Sequence, residues 1–162
     1  MRKQIVGVMG PGERASAEDL VAAERLGRCI AEAGWAVLCG GRDRGVMAAV
    51  CRGSRAAGGL AIGVLPGEND THASPDLDIA ISTGLGNGRN NINVLSSDVV
   101  VACGMGAGTA SEIALALKAG KQVILINASS VSLKFWRELA PDQVYNAETV
   151  DAAIERIRMA ME

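Results

Sequence analysis

Apolar residues in this chain fall in short unbroken runs, and glycine or a polar cluster ends nearly every run. Residues 4–9, 35–39, 60–65, 78–82, 98–103 and 122–127 predict six strands, with a short edge strand at 143–145. Continuous runs such as Val99-Val100-Val101 fit strands covered on both faces, because an alternating pattern would mark a strand with one wet side. Between the runs the spacing changes to that of helices. Leu20, Ala23, Leu26 and Ile30 share one face of a helix predicted at 16–33. Ser16 and Asp19 have the spacing of a capping box at its start, and Gly34 ends it. Further helices are predicted at 45–57, 90–95, 109–119, 133–139 and 150–161.

Strands alternating with helices predict βαβ units. The expected fold is α/β: a single Rossmann-like doubly wound domain over residues 1–162, with a mainly parallel sheet and helices on both faces. Sheets of this kind bind ligands at the carboxyl ends of their strands. Three glycine turns are expected there: Gly10-Pro11-Gly12, Gly40-Gly41, and Gly104 to Gly108.

Composition narrows the function classes. The 162 residues carry 16 Lys and Arg against 18 Asp and Glu, a net charge of −2, with no basic stripe for nucleic acid or a membrane surface. Trp35, Phe135, Trp136 and Tyr145 are too few aromatics for a base-stacking platform. The first apolar run is too short for a signal segment or a membrane span, so a cytoplasmic protein is expected. Cys29, Cys39, Cys51 and Cys103 are widely spaced and His72 is the sole histidine, a poor basis for disulfides, a metal site or a Ser-His pair.

The turn Gly104-Met105-Gly106-Ala107-Gly108-Thr109 carries the most chemistry. Strand, glycine turn and helix in that order put unpaired backbone N–H groups at a helix N-terminus, an anion site. Three alternating glycines exceed what a turn requires, since each costs chain entropy. The spacing is not the G-x-G-x-x-G of a dinucleotide site. The next strand ends in Asn127, where an acid for a ribose hydroxyl is expected. No P-loop sequence is present. Glu112 follows the turn and admits two readings. Thr109-x-x-Glu112 has capping-box spacing, or Glu112 contacts sugar hydroxyls or acts as a base beside the bound anion. Gly86 to Asn93 is rich in amides around Arg89. Arginine grips phosphate, and the amides of Asn87, Asn90 and Asn91 are candidate readers of a heterocycle's edge. Arg42 and Arg44, after Gly40-Gly41, are candidates for a second loop facing the anion.

Taken together, these residues resemble the LOG-like (formerly lysine decarboxylase-like) Rossmann family over nearly the whole chain. Gly40 to Val50 is similar to that family's G-G-x-x-G-[LV]-M-x-A-V segment, with one extra residue in the turn. Gly104 to Glu112 is similar to its P-G-G-x-G-T-x-x-E, with Gly104 for the proline and Met105 for the first motif glycine. In phosphoribohydrolase members an arginine–lysine pair and the motif glutamate act on the N-glycosidic bond of a nucleoside 5′-monophosphate, releasing free base and ribose 5-phosphate. Arg89 and Glu112 match the arginine and the glutamate and would be catalytic under that reading, but Asn90 stands where the lysine would be. The run Gly88 to Val94 and the small size are closer to the molybdenum cofactor carrier branch.

That branch implies a carrier for a phosphorylated pterin, which stores, protects and transfers it without chemical change. It implies a homo-oligomer, dimer or tetramer, that works with molybdoenzymes or cofactor-synthesis proteins. The residues assigned to the ligand are Gly10, Gly12, Gly40, Gly41, Asn87, Arg89, Asn90, Asn91, Gly104, Met105, Gly106, Ala107, Gly108 and Thr109. Under the hydrolase alternative there is no cofactor, and a nucleoside monophosphate is the substrate.

Overall fold

The computed structural model describes residues 2–162. Seven strands form one sheet: β1 (Ile5–Met9), β2 (Ala36–Cys39), β3 (Leu60–Leu65), β4 (Ile79–Ser82), β5 (Val99–Cys103), β6 (Val123–Ile126) and β7 (Val144–Ala147). Their order is β4-β3-β2-β1-β5-β6-β7, and every neighbouring pair is parallel. The chain lays down β1 to β4 in one direction, then returns to place β5 on the free side of β1. The gap between β1 and β5 is therefore the point where the winding reverses, the place such sheets reserve for ligands.

Six α-helices cover the sheet: α1 (Ala17–Glu32), α2 (Gly45–Ala56), α3 (Arg89–Ser96), α4 (Ala107–Lys118), α5 (Ser130–Leu139) and α6 (Val150–Ala160). Leu26, Ile30, Val50 and Ile157 from α1, α2 and α6 pack on one face of the sheet. Val94, Ile113, Leu117 and Trp136 from α3, α4 and α5 pack on the other. With both faces covered, β2, β5 and β6 are buried along their full length, which is why they read as unbroken apolar runs. The edge strand β4 is exposed throughout.

The expected capping box of α1 is present: Ser16 Oγ accepts from the Asp19 N–H at 3.1 Å, and Asp19 Oδ2 from the Ser16 N–H at 3.0 Å. Two boundaries differ from expectation in a way that matters. α5 starts at Ser130, three residues early, because the Ser129 hydroxyl caps it. α4 starts at Ala107, two residues before Thr109, with Gly106 as an extended N-cap that offers no side chain.

Candidate functional site

A cleft of about 380 Å³ opens over the carboxyl ends of β1, β2 and β5. Its floor is the turn after β1. A Cβ on Gly10 would fall 2.5 Å from the Cys103 carbonyl oxygen, so the turns after β1 and β5 touch only because Gly10 has no side chain. One wall is the start of α4. The N–H groups of Ala107, Gly108 and Thr109 are its first three and have no partners within the helix; the helical ladder begins with Ala110 N–H donating to the Gly106 carbonyl. Beside them the Thr109 hydroxyl is buried with no hydrogen-bond partner among the described residues. Unpaired donors at a helix N-terminus next to an unsatisfied hydroxyl are the chemistry of an anion site.

The opposite wall begins with a single 3-10 turn, Gly86–Gly88, that leads into α3. Arg89, the first residue of α3, packs its guanidinium against Gly40, where a Cβ would lie 2.9 Å from Nη2. Nη1 donates to Asn90 Oδ1 at 2.6 Å; Asn90 Nδ2 donates to Ser111 Oγ at 2.9 Å; Ser111 Oγ donates to the Gly108 carbonyl at 2.6 Å. This chain fastens the arginine to the first turn of α4. Both ends of the Asn90 amide are thus engaged within the protein. Arg89 Nε is buried without a partner among the described residues, and burial holds the guanidinium below its ordinary pKa.

Glu112 is 6% exposed, and the early start of α4 overturns the capping-box reading for it. Thr109 is the third residue of the helix rather than its cap, so the glutamate has no cap to reach back to. It accepts instead from Asn93 Nδ2 at 3.0 Å. Burial raises its pKa to about 7, against the pull of the Asn93 hydrogen bond and the Arg89 charge.

Of the predicted site residues, Gly10, Gly12, Gly40, Asn87, Arg89, Asn90, Gly106, Ala107, Gly108, Thr109 and Glu112 line the cleft. Gly41, Asn91, Gly104 and Met105 do not. Gly41 turns away at a φ of 76° and backs onto Gly63 and Leu65. Gly104, at a φ of 75°, sits under the Asp19 carboxylate, which Asn127 also donates to at 3.1 Å. Met105 is half-buried and packs against the core, and Asn91 is exposed on α3. Arg42 and Arg44 line the cleft, and Arg44 is ion-paired with Glu13.

The sequence reading missed Met9, Pro11, Arg14 and Met47 in the lining. It also missed Asn93, the partner of Glu112. Asn93 is four residues after Arg89, one helical turn on, so helical spacing was the signal that could have found it. Cys39 and Cys103 are buried at strand ends behind the turns, outside the cleft, and burial pushes the Cys103 thiol up to about 12.

Residues 3–154 match the SLOG cluster4 family model. The chain belongs to the SLOG cluster4 family. An uncharacterised protein of Archaeoglobus fulgidus is 43% identical over 123 residues, covering 76% of this chain and 80% of its own length. Among solved structures, the molybdenum cofactor binding protein of the phototrophic bacterium Rippkaea orientalis is 52% identical, with a TM-score of 0.98 over 100% of this chain and 99% of that one. The molybdenum cofactor carrier protein of Chlamydomonas reinhardtii is 48% identical, with a TM-score of 0.95 over 99% of each chain. The SLOG cluster4 assignment thus agrees with the LOG-like resemblance in sequence and with the doubly wound sheet in structure.

Proposed function

We propose that this chain binds and carries the molybdenum cofactor: it holds a pterin phosphate with its dithiolene-bound metal, shields it and hands it on unchanged. The observation that carries the reading is the start of α4, where three unpaired N–H groups and the orphaned Thr109 hydroxyl face a cleft kept open by Gly10, Gly12 and Gly40. The phosphate would sit on Ala107, Gly108 and Thr109, with Arg89 adding charge from across the cleft. The buried hydroxyl and the guanidinium Nε have room for an acceptor and so fit such a group. The cofactor would supply its redox chemistry at the metal only after transfer, while this chain's own residues bind it, orient it and exclude water. Support also comes from two full-length relatives at about half identity, one described as a cofactor binding protein and one as a cofactor carrier.

The carrier reading includes a cytoplasmic homo-oligomer, dimer or tetramer, that exchanges its load with molybdoenzymes or cofactor-synthesis proteins. Arg89 and Glu112 lying on the same cleft favour a second reading, hydrolysis of a nucleoside 5′-monophosphate. Incubation with AMP and with cofactor in parallel separates the two. The carrier reading expects no free base and a slower oxidation of bound cofactor than of free cofactor. Steady base release that Glu112→Ala abolishes would overturn it.

A further inference from the structure

A phosphate cradle explains the glycines and Arg89 but not Glu112. Among the described residues this buried carboxylate forms no ion pair, although it lines the cleft. Arg89, whose charge acts on it, makes no ion pair with it: one guanidinium N–H donates to Asn90 and the group packs on Gly40. Oε1 accepts one hydrogen bond from Asn93, and Oε2 takes none from the described residues. A buried carboxylate without a cation is costly, and an anion bound nearby raises that cost. The cost is offset when the ligand itself brings donors.

A single hydroxyl offers one neutral hydrogen bond. Two adjacent N–H groups on a planar ring offer a fork matched to both carboxylate oxygens, as a guanidinium does. A carboxylate oxygen has room for a second donor, so the bond from Asn93 does not block this pairing.

We propose that Glu112 reads the 2-amino-4-oxo-pyrimidine edge of the ligand, with the ring N–H and the adjacent amino group donating to its two carboxylate oxygens. The assignment rests on the carrier reading, because a pterin carries this edge. Guanine carries the same edge and serves as its probe. Adenine turns a ring acceptor toward the carboxylate and is rejected by lone-pair repulsion. Glu112 thereby sets ligand class, while the α4 N-terminus and Arg89 set affinity for the phosphate.

The test is calorimetric titration of the full chain at pH 8, where Glu112 is ionised, with GMP, IMP, AMP and inorganic phosphate. GMP is expected to bind on the order of tenfold or more tighter than AMP, with IMP between them because it keeps the ring N–H and lacks the amino group. Glu112→Gln is expected to bring GMP and AMP together while inorganic phosphate binds at least as tightly as before, because a like charge in the same cleft is gone. AMP binding as tightly as GMP to the unmodified chain overturns the proposal without any variant, as does a GMP preference that survives in Glu112→Gln. A chain that retains molybdenum cofactor without preferring GMP refutes the edge assignment and leaves the carrier reading standing. A chain that prefers GMP but retains no cofactor refutes the carrier reading and leaves the edge assignment standing.

Discussion

Glu112 is the residue on which structure and function pull in opposite directions. Its pKa of about 7 in the fold lies above its ordinary value of 4.5, so the folded state holds the proton more tightly than the unfolded chain. Its contribution to stability is therefore fully present below about pH 4.5 and is lost as pH rises through about 7. The loss is on the order of 3–4 kcal/mol. Glu112→Gln removes the charge and keeps an acceptor for Asn93, so the ligand-free variant should melt several degrees above the parent at pH 8, at about 2–4 °C per kcal/mol. The two should converge near pH 4.5. A scanning calorimeter reads this directly, and equal melting points at pH 8 would contradict it. At this scale the sequence was readable as far as the placing of Arg89 and Thr109, both of which line the cleft. It left Glu112 open between a cap and a site group, because capping-box spacing has meaning only relative to the true helix start, and α4 starts at Ala107 with Gly106 as its N-cap.

At the scale of elements, two glycine devices make separable predictions. Where α1 and α2 cross, a Cβ on Gly27 would collide with the Val50 carbonyl, and one on Gly53 with the Glu24 carbonyl. Each helix offers its glycine to the other's backbone, so the axes approach closely and Arg52 reaches Glu24 at 2.9 Å across the junction. Gly53→Ala should cost about 1–3 kcal/mol as an overpacked contact, measured by denaturant melts, without a direct effect on the cleft.

Gly108 is the contrary case. A Cβ there meets nothing within 4 Å, and the residue lies in the first turn of α4 on the cleft wall. Gly108→Asp should leave stability unchanged or slightly raised, since a carboxylate in the first turn of a helix is favourable, yet it should abolish binding of inorganic phosphate. Element types and most boundaries were legible in the sequence, because runs and spacing follow directly from burial on one or two faces. The starts of α4 and α5 were less so. Each is set by one capping residue, Gly106 or Ser129, whose effect depends on local backbone geometry rather than on periodicity.

At the scale of the whole molecule, the strand order puts the turns after β1 and β5 side by side at the winding reversal, with the turn after β2 next to β1. Three glycine turns distant in sequence become one cleft. Alternating strands and helices announced the parallel sheet and its ligand edge. They could not say that Asn93 would meet Glu112 or that Ser111 would close a chain from Arg89 to Gly108, because those contacts depend on how α3 lies against α4.

On the carrier reading, the α4 N-terminus holds the phosphate of the cofactor. Native mass spectrometry of the chain, loaded anaerobically with molybdenum cofactor and exchanged into cofactor-free buffer, tests it most directly. A retained adduct with the mass of the cofactor is expected on the parent chain and none on Gly108→Asp, with both proteins folded. No adduct on the parent, or equal retention by both, would contradict it.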